Sequence, residues 1–470
     1  MKETIILSYT ILLVLIFGCK NINTEEEQSI PFSKLSSEYT GVNFSNIITP
    51  NLESSENLFD YDYFYNGSGV GIADINNDGL KDIIFTANQK ENKVYLNKGD
   101  LKFEDITELS QINNKNKKWS SGVTFADLNN DGWLDIYISQ GGPFEQENRK
   151  NLLLINNQDL TFSEKAQEYG LDDKGISTQS AFFDFDKDGD LDCIVMNENE
   201  FYGYDPISFF EKYSDKSVLM ANSSHLYEQV DGKFINVTEK AGLLSPTFGL
   251  GLCISDINND NWLDIYIAND YYVKDAMYIN NQDGTFTNQI QESTKQISFY
   301  GMGVDIEDIN NDNLSDIFVL DMASSDHVRS KTLMASMNTS NFDLITNKLD
   351  QHYQYMFNSL QLNLGNDKYH NISHQLNLAK TDWSWAGLIF DYNLDGKEDI
   401  FVTNGYRKYG SDNDSRIKIN QTKIEYNNRV PLEMKKRLYD ELPSEKLSNL
   451  LYKNEGNLTF NEVGEESNIL

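Results

Sequence analysis

The chain has 470 residues, with 73 Asp or Glu against 39 Lys or Arg, and a formal charge of −34. This balance excludes a nucleic-acid binder, whose affinity rests on cationic contacts to phosphate, and a basic membrane-surface module. Three cysteines without ligand spacing, Cys19, Cys193 and Cys253, exclude a disulfide framework and a zinc cluster.

The first predicted element is an export signal over residues 1–18. Lys2 precedes an apolar run, Ile5 to Phe17. That run is too short for a bilayer span of about 20 residues and suits the core of a secretory signal. Ile16-Phe17-Gly18-Cys19 resembles a bacterial lipobox, which implies lipidation of Cys19. Residues 19–31 (KNINTEEEQS and neighbours) read as a flexible tether. Their acidic run Glu25–Glu27 is similar to tracts that follow the lipid-bearing cysteine in surface-displayed lipoproteins. Lys20 is not the Asp that signals inner-membrane retention. The expectation is an exported outer-membrane lipoprotein at the cell surface, touching the membrane only through its anchor. Residues 32–470 form the folded body.

The run FSKLSSEYTGVNF, from Phe32 to Phe44, reads as the last strand of a repeat unit placed ahead of the first complete one. Beyond it a nine-residue pattern occurs six times: DINNDGLKD from Asp74, DLNNDGWLD from Asp127, DFDKDGDLD from Asp184, DINNDNWLD from Asp256, DINNDNLSD from Asp308 and DYNLDGKED from Asp391. Calcium takes six to eight oxygens at about 2.3–2.6 Å. A tight loop offering side-chain oxygen at positions 1, 3, 5 and 9 can wrap such an ion. The candidate ligands are Asp74, Asn76, Asp78 and Asp82; Asp127, Asn129, Asp131 and Asp135; Asp184, Asp186, Asp188 and Asp192; Asp256, Asn258, Asp260 and Asp264; Asp308, Asn310, Asp312 and Asp316; and Asp391, Asn393, Asp395 and Asp399. Position 6 needs a bend with φ > 0, which glycine supplies in four loops. Asn261 and Asn313 stand there in loops four and five, which are expected to bind more weakly. Hard oxygen donors disfavour zinc and copper, and magnesium wants stricter octahedral geometry. Six repeats with the added Asp at position 9 argue against mere acidic turns, and even spacing argues for structural rather than regulatory calcium. Six ions would move the charge from −34 to −22.

Short apolar, β-branched runs flank each loop: GVGIA and IIFTA around the first, GLCIS and IYIA around the fourth. Each loop therefore joins two strands rather than the helices of an EF-hand. Cys193 and Cys253 lie in such runs and read as buried free thiols. A second strand–turn–strand element follows in each unit, as in KVYLNKGDLKFEDITE and AMYINNQDGTFTNQIQES. Two strands plus two strands give a four-stranded antiparallel unit, and loop starts 53, 57, 72, 52 and 83 residues apart are spaced as propeller blades. The long spacings hold insertions at 202–222, 322–358 and 407–449, expected as loops with short helices on a ligand-bearing face. PLEMKKRLYDELPSEKL fits one or two amphipathic helices. Trp383 and Trp385 read as blade packing.

These units resemble FG-GAP/VCBS repeats, the blades of integrin α-chain propellers and of many bacterial exported proteins. YDYFYNGSGVG, RKNLLLINN and TDWSWAGLIFDYNLDG strengthen the likeness to Bacteroidetes lipoproteins similar to cartilage acidic protein. Members of that group usually continue into more repeats and an ASPIC/UnbV domain, which these residues do not contain. The resemblance implies an all-β propeller with six complete units on a seven-bladed template. It implies a non-enzymatic, calcium-stabilised surface module that recognises a glycan or a protein through one face. Two alternatives are a lyase-like polysaccharide enzyme and a structural subunit of an envelope complex. No catalytic motif occurs; the nearest thing to a cationic cluster is His327, Arg329 and Lys331.

Overall fold

The computed structural model describes residues 32–113, 119–333 and 339–469. The signal, Cys19 and the tether lie outside the described residues. The body is six four-stranded antiparallel sheets, each a meander in chain order. The first runs Val70–Ala73, Asp82–Phe85, Lys93–Asn97 and Phe103–Asp105. After their first Asp the second strands carry apolar runs, because neighbouring sheets cover both faces; Asp264–Asn269 is buried at every position. The architecture is the expected β-propeller.

The innermost strands show how one blade meets the next. Counting back from the loop's first Asp, side chains at −4 and −2 face the preceding blade and those at −3 and −1 the following one. Thr124 donates to the carbonyl of Ser180, 2.9 Å away in blade three. Asp305 accepts from the amide of Ile389 in blade six at 2.8 Å. At Gly71 a Cβ would lie 2.4 Å from the Phe125 ring, so only glycine fits where blades one and two meet.

At one place this packing fails. The −2 residue Ile306 is buried in blade five, yet its equivalent in blade one, Ile72, is 65% exposed, and Val70 is 58% exposed. On blade six the side chains turned toward a following blade, Leu388 and Phe390, are 47% and 36% exposed. Loop residues at position 4 normally reach the next loop: Asn77 donates to Gly132 O, Asn259 to Asn313 O and Asn311 to Gly396 O. In blade six that residue is Leu394, 89% exposed. Blade one and blade six therefore do not close on each other.

Residues Phe32–Gly41 occupy the outer edge of the intervening seventh position. Gly170 and Gly242 each end a one-turn segment against the carbonyl of the next blade's outer-strand Phe, Phe234 and Phe286. Gly41, which caps the helix Ser37–Thr40, meets Phe103 O of blade one in the same way. On the other side Asn468 of blade six donates to Phe32 O, and Phe32 stacks on Tyr392. The expected last strand thus takes its place without joining a sheet, because no third strand stands beside it to pair with among the described residues. Ile72→Glu and Leu388→Glu are expected to shift stability by no more than about 0.5 kcal/mol, as surface changes do. Ile306→Glu, at the buried equivalent site, is expected to unfold the chain or cost several kcal/mol. Thermal melts of the three variants check this; equal losses at Ile72 and Ile306 would show a closed ring.

The six Asp-rich loops join first to second strands on one face. The long connections of blades three, five and six join second to third strands, so all three insertions rise from the opposite face. They carry short helices, among them Pro206–Glu211, Lys216–Ala221, Arg329–Thr332, Asn413–Glu425 and Leu432–Asp440. Residues 57–66 lie across the same face. Tyr61 and Asn66 donate to Glu198 at 3.0 Å each, Tyr63 to Asp270 at 3.0 Å, and Tyr406 returns a bond to Asp62 O at 3.0 Å. One segment thereby ties blades three, four and six together. No helix among the described residues is long and apolar enough to cross a membrane.

Candidate metal loops and the opposite cavity

Five of the six loops share one hydrogen-bond pattern, illustrated by the fourth. Asp256 accepts the amides of Asp260 and Asn261 at 2.9 and 2.7 Å, and Asn258 donates its side-chain amide to Asp260 at 3.0 Å. The oxygens at positions 1, 3 and 5 are thus gathered on one turn. The bend at position 6 has φ of 86° at Gly79, 84° at Gly132, 97° at Gly189 and 81° at Gly396, and 68° and 67° at Asn261 and Asn313. Asparagine tolerates this left-handed region better than other side-chain-bearing residues.

Loop three departs from the pattern because Asp186 stands where the others carry Asn. No side-chain amide can bridge positions 3 and 5, and only the backbone N–H of Asp188 reaches Asp186, at 3.3 Å. Asp184, Asp186 and Asp188 bring carboxylate oxygens within 4.8 Å of one another. Asp184 Oδ1 is buried with no hydrogen-bond partner. Burial, and then the Asp188 charge, push the Asp186 carboxyl up. Three crowded carboxylates with an orphaned oxygen fit a hard divalent cation, which neutralises the repulsion and supplies the missing contact.

Position 9 is built differently. Asp82, Asp135, Asp192, Asp264, Asp316 and Asp399 are all fully buried. In each, one oxygen accepts the position-2 amide and the other accepts a third-strand amide. For Asp264 these come from Ile257 at 2.9 Å and Asn280 at 2.8 Å. Burial, with repulsion from Asp260 and Asp256, pushes Asp264 up to about 7. Each carboxylate oxygen keeps a lone pair beyond its amide bond, so a metal contact is compatible with this role. The partner Asn carries the link onward: Asn280 donates to Phe185 O of blade three, Asn156 to Ile75 O of blade one and Asn454 to Ile309 O of blade five. In blade five Tyr369 makes that contact, donating to Ile257 O of blade four. Asn97 of blade one reaches only Lys81 O of its own blade, which matches the open seam. Sequence reading took position 9 as a ligand alone. The signal for its second role was the Asn ending the third strands KVYLN, LLLIN, AMYIN and LLYKN.

The insertion face holds a cavity of about 330 Å³ between residues 58–66 and the insertions of blades five and six. Its aromatic wall is Tyr300, Trp383, Trp385 and Tyr406. Trp383 stacks on Tyr406 with centroids 4.5 Å apart, and Trp385 lies 6.0 Å from the same ring. The tryptophans do pack the blade, as expected, but they also line the cavity. Asp62 and Asp270 form its floor, holding bonds from Tyr271 at 2.5 Å and Tyr63 at 3.0 Å. Burial pushes Asp270 up to about 7. Arg416 and Lys423 stand at the rim on the helix Asn413–Glu425.

The remaining expected residues serve structure. Arg329 clamps Asp382 at 2.6 Å and also Glu445, joining the insertions of blades five and six, so the His327–Arg329–Lys331 run does not line the cavity. His225 is buried in an ion pair with Asp173 at 2.5 Å. Cys193 is buried, Cys253 half-buried, and neither is in a disulfide.

Glu198, which anchors residues 57–66, is pushed up to about 8 by burial, against the bonds from Tyr61 and Asn66. Its folded pKa exceeds its unfolded one, so the folded state holds more protons between about pH 4.5 and 8. Over that window this group lowers stability as pH rises. Glu198→Gln is expected to flatten the decline. Chemical-denaturation curves at pH 5 and pH 8 check this; identical slopes in variant and wild type would contradict it.

One comparison with known proteins bears on the repeats. A family model of FG-GAP-like repeats matches residues 64–138 and 256–319. A search of curated proteins finds no match. Among solved structures, the chain is similar to an Agrocybe aegerita lectin described as recognising non-reducing terminal N-acetylglucosamine. The identity there is 14%, over 86% of this chain and 81% of the lectin, with a TM-score of 0.41. It is also similar to BBS1N in complex with ARL6DN, at 8% identity over 71% of this chain and 75% of that one, TM-score 0.36. The V. cholerae biofilm matrix protein Bap1 matches at 13% identity over 65% of this chain and 39% of its own, TM-score 0.32.

Proposed function

We propose that this FG-GAP-repeat propeller is a calcium-stabilised, lipid-anchored binding module at the cell surface. It receives a glycan or protein ligand on the insertion face and performs no chemistry on it. The observation that carries this reading is the aromatic-walled cavity among the insertions, on the face opposite the calcium loops. Its size lies at the lower end of ligand pockets, roughly 300–1,000 Å³. Aromatic walls with a few converging polar groups are what ligand recognition uses, whereas a catalytic site needs a positioned acid–base set. No histidine of the described residues lines this cavity, and its two carboxylates, Asp62 and Asp270, are held by the hydroxyls of Tyr271 and Tyr63 rather than left free for proton transfer. Calcium in the six loops supplies rigidity, holding first and second strands in register so that the opposite face keeps its shape.

The test is ligand capture on an array of glycans and surface proteins, using the mature chain with calcium. Asn420 faces the cavity from an exposed helical position, so Asn420→Trp fills the mouth without removing packing. Capture lost in this variant with an unchanged melting midpoint is the expected result. Capture that persists would place the ligand elsewhere.

A further inference from the structure

The exposed charged groups of the cavity lining on the helix Asn413–Glu425 are both cations, and two buried polar atoms of the lining lack partners, Asn66 Oδ1 and Trp383 Nε1. Trp383 is 5% exposed, and its indole Nε1–H has no hydrogen-bond partner. Its neighbour Trp385 satisfies the same group on Gly405 O at 2.6 Å, so the open donor is particular to Trp383. Arg416 and Lys423 are seven residues apart on the helix Asn413–Glu425, with Ile419 and Asn420 between them, so all four lie on one helical face. Neither cation is in an ion pair among the described residues, although Asp62 lies within electrostatic reach of both. The carboxylates are held differently: Asp62 and Asp270 already take hydroxyl protons from Tyr271 and Tyr63, and Asn66 Oδ1 is the one buried acceptor of the described lining left without a donor.

A chain of −34 charge has many carboxylates with which to neutralise two exposed cations. Leaving both unpaired over an aromatic-walled cavity suits a ligand that brings its own negative charge and lone pairs. The flat wall of Trp385, Tyr406 and Tyr300 suits the apolar face of a sugar ring. We infer that the cavity takes a carboxylate-bearing sugar residue, a uronic acid, with its carboxylate toward Arg416 and Lys423, its ring on the aromatic wall and a ring or hydroxyl oxygen toward Trp383 Nε1. The carboxylate of such a residue matches the guanidinium in a charge-assisted bond, about twice as strong as a neutral one.

This inference rests on the binding reading above, and the experiment separates the two. Digalacturonate and maltotriose are titrated calorimetrically into the full mature chain with calcium. Digalacturonate is expected to bind and maltotriose not. Arg416→Ala and Lys423→Ala are each expected to weaken digalacturonate roughly tenfold, and the double variant to abolish binding. Both side chains are exposed, so melting midpoints should not move. Trp383→Phe removes the donor together with part of the buried ring, so it is read beside its own melting midpoint, and binding should weaken several-fold in the fraction that stays folded. Equal binding of maltotriose, insensitive to Arg416 and Lys423, would overturn the acidic class while leaving a sugar-binding module. No digalacturonate binding by a chain that still captures a ligand on the array would overturn the inference alone.

Discussion

Asp264→Ala is expected to destabilise the chain by on the order of 3 kcal/mol or more, with or without calcium. Two buried amides, those of Ile257 and Asn280, lose their only recorded acceptor, and each unsatisfied buried donor costs about 1–3 kcal/mol. Asn280 would also lose the bond that positions it to hold Phe185 O of the preceding blade. Asp256→Ala in the same loop is the informative contrast. Its carboxylate accepts amides in a half-exposed turn that water can reach. It should therefore cost little in EDTA and more in calcium. Urea unfolding of both variants in each condition checks the pair. Equal losses in EDTA would contradict the division of labour between positions 1 and 9.

The second large effect concerns the metal. Calcium binding to the folded chain alone must raise its stability, by about 2.7 kcal/mol for a site at a hundredfold excess over its Kd. Several loops acting together should lift the melting midpoint by many degrees between EDTA and millimolar calcium. Magnesium should restore little of it, because the clustered loop oxygens suit a larger ion of flexible coordination. Loop three should contribute most, since Asp184, Asp186 and Asp188 crowd three carboxylates into one turn. Asp186→Asn gives loop three the residue types of the others and should raise stability in EDTA while shrinking the calcium response. A midpoint indifferent to calcium would remove the metal from the account and leave the propeller standing.

Much of the architecture was legible in the sequence because repetition turns weak local signals into strong ones. Asp-x-Asn/Asp-x-Asp-Gly/Asn between two short apolar runs marks the same strand–loop–strand in every blade. Even the displaced outer edge at Phe32–Gly41 could be placed from its likeness to the ends of complete units. The seam itself was not legible, since Ile72 and Leu388 have the same residue types as buried counterparts. Only their exposure reveals that nothing covers them. The insertions were located by spacing alone. The helix Asn413–Glu425 escaped notice because its sequence, NDSRIKINQTKIE, carries only isolated isoleucines among polar residues. The face that lines the cavity, with Arg416, Asn420 and Lys423, is mostly polar and so gives no amphipathic stripe. The cavity joins residues from 58 to 423, a set that no local pattern brings together. Position 9 hid its second role for a related reason: its partner Asn lies beyond the second strand, 15 residues away in blade one and 55 in blade six.

The most direct test of the calcium claim is to count the ions. The mature chain, purified in calcium and passed into metal-free buffer, is weighed by native mass spectrometry. Retained calcium, up to six ions, with the most tightly held ion lost in Asp184→Ala, is the result expected. A chain that carries no calcium, or carries the same number after that substitution, would contradict the assignment of the repeat loops as metal sites.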